Sequence, residues 1–411
     1  MIFLPSGLEA PNQALESQQV SALDSGVPHG VGPAIPTLHD IRPPAERAIL
    51  VGAPRKGSAD ATRTDDHLEE LARLADTAGA RVVGRMLQRI QSPTPALYLG
   101  KGKAEQLKAE AEAAGATLIL FDEELSPVQG KNLEKVTGIR VMDRAELILD
   151  IFVTRARSNE AHIQVELAQL EYLLPRLARM WVHLSRIRGG IGLRGPGETQ
   201  IETDRRMIRT KIARLKRKLE DVDRHREVLR QGRDRRHVLT AALVGYTNAG
   251  KSSLLRALTG TETFVEDRLF ATLDTLARET EVAPGARVRL IDTVGFIRKL
   301  PHHLVASFRA TLAEAQTADI LLHVVDASHP HWEDQVAVVD EVLADLGLTG
   351  RPVVHVFNKM DLLPDRDGFR QRAAAHFSQV ACVSAERREV GELQALLAVA
   401  ARDGRPARVT G

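Results

Sequence analysis

The most specific chemistry in the sequence lies in a glycine-rich segment between an apolar run and a helical pattern. Residues 245–252 read GYTNAGKS, a match to G-x-x-x-x-G-K-[ST] that follows LTAALV and leads into SSLLRAL. Glycines let successive backbone N–H groups face phosphate oxygens, and the next helix adds the positive end of its dipole. Lys251 would supply a charge for the β- and γ-phosphates, and Ser252 a hydroxyl ligand for Mg2+. The predicted phosphate contacts are Gly245, Tyr246, Thr247, Asn248, Ala249, Gly250, Lys251, Ser252 and Ser253.

An aspartate at the end of a later apolar run could complete the ion site. The segment RVRLIDTVG places Asp292 at the end of this run and Gly295 three residues later. A carboxylate at this place reaches the outer coordination shell of Mg2+, and the glycine N–H reaches the γ-phosphate. The spacing predicts that Gly295 acts with Lys251 on the reacting phosphate. The predicted nucleotide contacts of this segment are Asp292, Thr293, Val294 and Gly295.

A third segment indicates which base is bound. After the apolar run PVVHVF, residues 358–361 read NKMD, an N-K-x-D pattern. The carboxylate of Asp361 can accept hydrogen bonds from N1–H and from the exocyclic amine of guanine, and adenine offers neither donor. A buried carboxylate left without a partner is costly. The pattern therefore favours a GTP-binding protein over a P-loop ATPase or a small-molecule kinase. The predicted base contacts are Asn358, Lys359, Met360 and Asp361, with Ser384, Ala385 and Glu386 after the last strand.

The loop after the first helix of this segment should contain a threonine that closes over the γ-phosphate and Mg2+. Thr272, in LFATLDT, is the preferred candidate. On spacing alone, Thr263, Thr275 and Thr280 remain alternatives.

Phe296 stands directly after Gly295, where many small GTPases have a glutamine that orients the attacking water. A phenyl ring has no hydrogen-bonding group and cannot orient water. We therefore expect slow intrinsic hydrolysis that a partner accelerates.

Two other patterns resemble sites. Residues 190–195 match the dinucleotide-binding pattern G-x-G-x-x-G. A dinucleotide site requires a strand before this pattern, and no strand is predicted there. The histidine pairs His302/His303 and His329/His331 lack a matching set of metal ligands and are predicted to be solvated.

The elements that position these residues indicate several domains in a chain of 411 residues. Alternating apolar and helical patterns predict an α/β fold: a P-loop GTPase domain with a doubly wound, mostly parallel sheet, preceded by an N-terminal α/β domain and a long helical hairpin. In the N-terminal domain we predict strands at RAILVGA, RVVGRM, ALYLG, TLILFD and IRVMD. The predicted boundaries are a flexible leader at 1–45, the N-terminal domain at 46–157, the basic helices at 158–236, the GTPase domain at 237–403 and a tail at 404–411.

Positive charge is concentrated in the helical segment. Residues 181–237 contain 17 Lys and Arg against 8 Asp and Glu, and the rest of the chain contains 39 against 46. Such a block suits a polyanion such as nucleic acid, and a solvated helical face is an equal alternative on charge alone. The glycine-rich loop at 189–199, with Arg188 and Arg194, is either a tip that approaches RNA phosphates or a hinge.

Composition excludes other classes. The single cysteine, Cys382, cannot form an internal disulfide, and this fits a reducing compartment. The amino terminus lacks the basic and apolar regions of a signal peptide, and no apolar stretch approaches the length of a membrane span. We expect a cytoplasmic protein.

These residues together resemble HflX, a family of translation-factor-related GTPases in the Obg-HflX group, over residues 48–397. The most distinctive stretch is GGIGLRGPGETQIETDRR at 189–206. FATLD resembles the switch loop of the family, and DTVGFI resembles its hydrophobic substitution of the glutamine. DEELSPVQGKNLEK and RARSNEAHIQVELAQLEYLLPRL resemble its N-terminal domain.

The resemblance implies an Mg2+-dependent GTPase that binds the large (50S) ribosomal subunit and dissociates or rescues stalled or idle 70S ribosomes under stress. The alternative is an assembly factor whose GTP cycle times rRNA binding without splitting 70S. The resemblance also settles Thr272 as the switch threonine, which binds Mg2+ with Ser252 and acts with Lys251 and Gly295 in catalysis. We also expect a monomer when free. The chain departs from longer members of the family by ending soon after its last helix, so we expect no family-type C-terminal domain. The implied switch contacts are Phe270, Ala271, Thr272, Leu273 and Asp274, and the implied RNA contacts are Arg188, Arg194, Arg205 and Arg206.

Overall fold

The computed structural model describes the chain from residue 45 to residue 403 with gaps. The described ranges are 45–58, 60, 63–177, 196–231, 238–260, 268–299 and 315–403. The predicted leader at 1–45, except for residue 45, and the predicted tail at 404–411 lie outside these ranges. So do Arg188, Arg194, Thr263, His302 and His303.

The first part of the described chain contains a four-stranded parallel sheet. Its strands are β1 (Arg47–Gly52), β2 (Arg81–Leu87), β3 (Leu118–Phe121) and β4 (Arg140–Asp143). They lie in the order β2–β1–β3–β4. The helices that connect them are α1 (Thr64–Thr77), α2 (Lys101–Ala113) and α3 (Pro127–Thr137). Helix α3 begins with a capping box, in which the side chains of Ser126 and Gln129 each accept a hydrogen bond from the other residue's N–H.

One predicted strand of this sheet is wrong. The segment ALYLG at 96–100 forms a turn, in which the N–H groups of Thr94 and Tyr98 donate to each other's carbonyls at 3.0 Å. Tyr98 has a φ of 63°, a left-handed backbone that a regular strand does not contain. Leu99 is nevertheless fully buried, and Leu97 packs against the same core. The apolar pattern therefore predicted the burial of Leu99 correctly and the strand incorrectly.

Three helices follow this sheet: α4 (Arg144–Arg155), α5 (Asn159–Leu173) and α6 (Pro196–Gln231). The start of α6 corrects the loop predicted at 189–199, because residues 196–199 are helical. Proline suits the first position of a helix, where its fixed φ is favourable and its missing N–H needs no partner. Among the helices in the described ranges, none combines the length and apolar character needed to cross a membrane.

Helices α5 and α6 pack against each other through a small apolar contact with ion pairs beside it. Lys211 of α6 pairs with Glu166 of α5, and Lys216 pairs with Glu171 at 2.8 Å. The buried apolar residues of this contact are Ile163, Leu167, Leu215 and Leu219. Helices α5 and α6 are therefore held together by both apolar packing and ion pairs.

The second sheet confirms the predicted doubly wound, mostly parallel arrangement. Its strands are β5 (Leu239–Gly245), β6 (Leu276–Ala283), β7 (Ala286–Asp292), β8 (Ile320–Asp326), β9 (Val353–Asn358) and β10 (Val380–Cys382). They lie in the order β10–β9–β8–β5–β7–β6, and only β6 is antiparallel to its neighbour. The helices are α7 (Lys251–Thr259), α8 (Trp332–Asp345), α9 (Arg366–His376) and α10 (Gly391–Asp403).

One hydrophobic core runs from the first sheet to the second. It joins residues of β1, α1, α4 and α5 to residues of β5, β7 and the loops after α7 and β7. Phe152 of α4 meets Phe270 edge to face, with ring centroids 4.8 Å apart. Phe296 and Ile297 are 2% and 1% exposed in the same core. The loops on one side of the second sheet are therefore packed against the N-terminal half of the chain.

Candidate nucleotide-binding site

A cavity of about 380 Å3 lies at the carboxyl ends of the parallel strands β5, β7 and β9. This end of a doubly wound sheet is where such folds bind ligands. The residues predicted to bind the nucleotide that line it are Thr247, Asn248, Gly250, Lys251, Ser252, Ser253, Phe270, Ala271, Thr272, Thr293, Gly295, Asn358, Lys359, Asp361, Ala385 and Glu386. Five separate segments of the sequence thus meet in one cavity.

The loop after β5 has a backbone that only glycine accommodates at its end. Gly250 has a φ of +92°, and a Cβ there would lie 2.2 Å from Nδ2 of Asn358. Helix α7 starts at the next residue, Lys251, so its first N–H groups face the cavity. The Nζ atom of Lys251 donates to the carbonyls of Gly245 and Tyr246, at 3.1 and 2.9 Å. The ammonium is therefore held under the loop.

Burial governs the charges of this loop. It lowers the pKa of Lys251 to about 8, and the neighbouring carboxylate of Asp292 opposes this shift. Burial raises the pKa of Asp292, and Lys251 opposes that shift in turn. A polyanion in the cavity would favour the charged form of Lys251, because an opposite charge nearby raises the pKa of an amine.

Three oxygen-bearing side chains meet beside Lys251. The hydroxyl of Ser252 donates to Oδ2 of Asp292 at 2.6 Å and lies 2.6 Å from the hydroxyl of Thr272. The other oxygen of this carboxylate, Oδ1, is buried and has no hydrogen-bond partner in the described part of the chain. Such an oxygen needs a donor or a cation. Hydroxyl and carboxylate oxygens are the ligands that Mg2+ prefers, so these residues fit the ion.

Gly295 packs directly on the phosphate loop. A Cβ at this position would lie 2.8 Å from Cα of Thr247 and 2.9 Å from Nζ of Lys251. The backbones are also tied, because the N–H of Thr247 donates to the carbonyl of Phe296 at 2.7 Å, and the N–H of Phe296 donates to the carbonyl of Gly245 at 3.1 Å. A residue with any side chain would push the two loops apart.

The opposite end of the cavity contains the N-K-x-D segment. Asn358 joins two loops, since its Nδ2 donates to the carbonyl of Ala249 at 2.9 Å and its Oδ1 accepts from the N–H of Ala385 at 3.0 Å. The hydroxyl of Ser384 donates to Oδ1 of Asp361 at 2.6 Å and orients the carboxylate. Each carboxylate oxygen has further lone pairs, so Asp361 can still accept two parallel bonds from guanine.

The predicted contact set is wider than the cavity, and it lacks two residues. Arg268 and Leu362 line the cavity and were not predicted, because neither belongs to a motif. Predicted residues that do not line it are Gly245, Tyr246, Ala249, Leu273, Asp274, Asp292, Val294, Met360 and Ser384. Asp292 and Ser384 form hydrogen bonds with residues that line the cavity. Leu273, Val294 and Met360 lie in the hydrophobic core.

Tyr246 and Asp274 point toward the N-terminal half of the chain instead. The hydroxyl of Tyr246 donates to Oε2 of Glu70 in α1 at 2.7 Å. It also accepts from the N–H of Arg298, at 2.9 Å, in the loop after Gly295. The carboxylate of Asp274 accepts from the backbone between α4 and α5.

A network of ion pairs connects Glu70 to the end of the first sheet. Arg144 pairs with both Glu70 and Asp122, and Asp122 also pairs with Lys299. These two basic residues hold the pKa of Asp122 below its usual value against the effect of burial. Sequence spacing gives no sign of this network, since Tyr246 and Glu70 are 176 residues apart.

Of the predicted RNA contacts, Arg205 and Arg206 lie in the described part of α6. Arg206 is exposed and Arg205 is half-buried. Exposed Arg209, Arg214 and Arg217 follow on the same helix, and no described carboxylate lies within ion-pair distance of these arginines. The two lysines of α6 that contact α5 form ion pairs with its glutamates, so most of the unpaired positive charge on the described part of α6 belongs to arginines.

The sheet order, with a phosphate loop after the central strand β5, defines a P-loop GTPase. Three family models match the chain: "50S ribosome-binding GTPase" at residues 240–359, "GTP-binding GTPase N-terminal" at 65–153 and "GTP-binding GTPase Middle Region" at 155–233.

Curated relatives identify the family. GTPase HflX of Caldanaerobacter subterraneus is 50% identical, with 77% of this chain and 73% of the relative covered. GTPase HflX of Escherichia coli is 47% identical, with 73% and 70% covered. The chain therefore belongs to the HflX family of GTPases and is a GTP hydrolase. A solved structure of a GTP-binding protein from Sulfolobus solfataricus in complex with GDP covers 86% of this chain and 99% of its own, at 24% identity and a TM-score of 0.45.

Proposed function

We propose that this GTPase uses GTP and Mg2+ to dock its long basic helix on the RNA of the large ribosomal subunit and to separate stalled or idle 70S ribosomes under stress. The single observation that carries the RNA-binding step is the arginine-rich free face of α6. Arginine presents a planar fork of donors that matches phosphate oxygens, and its charge does not titrate. Membership of a family with a 50S ribosome-binding GTPase domain supports the same partner. The proposal includes a cytoplasmic location and a monomeric free protein.

In the proposed nucleotide site, backbone N–H groups of the loop and Lys251 bind the phosphates. Ser252 and Thr272 would hold Mg2+, and the carboxylate of Asp292 would support the ion from behind them. When bound, the ion would neutralise charge that develops on the phosphates. Gly295 presents its N–H to the γ-phosphate, and Asp361 selects guanine. Among the other motif residues, Asn358 holds the loops together and Ser384 orients Asp361.

Slow intrinsic hydrolysis is part of the proposal. The ring of Phe296 is buried in the shared core and has no group that could orient water. A group from the large subunit would then complete the site. Single-turnover hydrolysis by the isolated protein that is already fast and does not respond to ribosomes would contradict this.

A sucrose-gradient experiment tests the splitting step. Mature 70S ribosomes incubated with the protein and a non-hydrolysable GTP analogue should separate into subunits, and with GDP they should not. If 70S stays intact while immature large subunits retain the protein, the chain is an assembly factor instead.

The RNA contact is tested by a pair of double variants. Arg205→Ala/Arg206→Ala removes two charges proposed to meet phosphates, so the slope of log affinity against log salt should fall by about two units. Lys211→Ala/Lys216→Ala removes the same charge from the same helix, but from residues already paired with α5. We expect the salt slope of this control to remain near that of the wild type. Equal effects of the two pairs would argue against phosphate contacts at Arg205 and Arg206.

A further inference from the structure

Asp274 forms a specific contact between the loop that carries Thr272 and the start of helix α5. Its Oδ2 accepts from the N–H of Arg157 at 3.0 Å and from the N–H of Ser158 at 3.2 Å. Its Oδ1 accepts from the hydroxyl of Ser158. The carboxylate thus receives three donors from the junction between α4 and α5. None of these residues lines the cavity.

Ser158 connects this contact to helix α5. It is the N-cap of α5, and its hydroxyl oxygen accepts from the N–H of Ala161 at 3.0 Å. The negative charge of Asp274 lies at the positive end of the α5 dipole, where it is favourable. A displacement of Asp274 therefore removes the hydrogen-bond acceptor of the N-cap residue and of the residue before it.

The same loop contacts the proposed ion site two residues earlier. Thr272 lies 2.6 Å from the hydroxyl of Ser252. Between the two contacts, Leu273 is 2% exposed and packs in the shared core. A segment of three residues held at both ends and in its middle cannot move at Thr272 without strain at Asp274, because close-packed interiors transmit small displacements.

Helix α5 transmits a displacement of its N-terminus to helix α6. It packs along α6 through the apolar contact and ion pairs described above. Resting on the proposed function, we propose that Asp274 and Ser158 couple the occupancy of the nucleotide site to the position of the basic helix pair α5 and α6. The contact belongs to the arrangement in which Thr272 faces Ser252, so GTP with Mg2+ stabilises it. Release of Thr272 after hydrolysis weakens it and frees the helix pair.

Two variants and a matched control test the coupling. Asp274→Asn keeps the size of the side chain and places an amide where a carboxylate receives three donors, and Ser158→Ala removes the hydroxyl. Ser126→Ala removes the N-cap of α3, which has no contact with the Thr272 loop, and so matches the loss of a cap alone. The quantity measured is the ratio of affinities for the large subunit with a non-hydrolysable GTP analogue and with GDP.

We expect Asp274→Asn and Ser158→Ala each to lower this ratio about tenfold, a typical size for coupling between two sites. Nucleotide affinity of the free protein should change less, and Ser126→Ala should keep the wild-type ratio. If the wild type shows a ratio well above one and both variants keep it, the coupling is refuted while the proposed function stands.

Hydrogen exchange provides a readout without ribosomes. The N–H groups of Arg157, Ser158 and Ala161 should exchange more slowly with the GTP analogue than with GDP, and Asp274→Asn should abolish the difference. A wild-type ratio of one would contradict the proposed nucleotide-dependent docking. The exchange difference would then still support the coupling, and equal exchange in the two nucleotide states would refute it.

Discussion

Replacing Tyr246 with phenylalanine removes one oxygen atom from the contact between the phosphate loop and helix α1. The residue is 5% exposed, and its hydroxyl donates to Glu70 at 2.7 Å and accepts from the N–H of Arg298 at 2.9 Å. A hydrogen bond to a charged group contributes about 1.5–3 kcal/mol, and a buried donor left without a partner costs about 1–3 kcal/mol. Glu70 keeps its ion pair with Arg144, which limits the loss. We therefore expect Tyr246→Phe to lower the free energy of unfolding by about 2–4 kcal/mol, measured in urea.

Tyr172→Phe is a matched control for this variant. The Tyr172 hydroxyl also has two partners, the buried Asp143 at 3.1 Å and the half-buried Glu146 at 3.2 Å, and neither belongs to the nucleotide loops. Both variants should lose stability, and only Tyr246→Phe should speed the release of GTP, because the Tyr246 carbonyl accepts from Lys251. Stability of Tyr246→Phe within about 0.5 kcal/mol of the wild type would refute the reasoning, since surface changes have that size.

Four further variants or conditions test the site. Gly295→Ala should lower stability by about 1–3 kcal/mol and weaken binding of a GTP analogue more than binding of GDP, because its Cβ would lie 2.8 Å from Cα of Thr247; equal analogue affinity would count against the assigned contact. Asp361→Asn should weaken GTP binding by about a hundredfold, the size of a lost bond to a charged group, with little change in unfolding; unaltered affinity would contradict its role. GTP affinity should fall as pH rises above about 8, by up to about tenfold per pH unit, because the phosphates raise the pKa of Lys251 from about 8 and binding takes up a proton; calorimetry in two buffers measures this uptake, and a Lys251→Met variant should lose it. Phe296→Gln should cost about 3–5 kcal/mol in unfolding and leave the hydrolysis rate of the free protein unchanged, because the amide would be buried in an apolar core; a faster rate would show that the side chain reaches the nucleotide.

Local patterns predicted much of this molecule. Buried parallel strands such as β3 and β5 are almost continuously apolar, and each is followed by polar or turn residues, so their positions were predicted. Strand β6 was missed because half of its residues, LARETEVA, are polar and the strand lies at the edge of the sheet. The phosphate, ion and base segments were predictable because each is a short motif at the end of a strand.

Contacts between distant segments were beyond local patterns. Asp274 stands in a motif expected to face the nucleotide, but its carboxylate receives donors from residues 116 and 117 positions earlier. Tyr246 stands inside the phosphate loop, and its hydroxyl lies on α1. A motif restricts the backbone near the ligand, and the direction of each side chain depends on what the rest of the fold places behind it.

The burial of both nucleotide-facing loops gives a physical reason for their apolar residues. Phe270, Leu273, Phe296 and Ile297 are each 2% exposed or less, in a core shared with α4 and α5. Exposing them would cost about 25 cal/mol for each Å2 of apolar surface, so the N-terminal half of the chain sets the positions of these loops together with any ligand. A change that a nucleotide imposes on either loop must then alter this close-packed core, and part of the binding free energy becomes available to shift the N-terminal half. A glutamine at residue 296 would lose this packing and bury its amide in the apolar core, whereas the phenylalanine keeps the loop coupled to the N-terminal half.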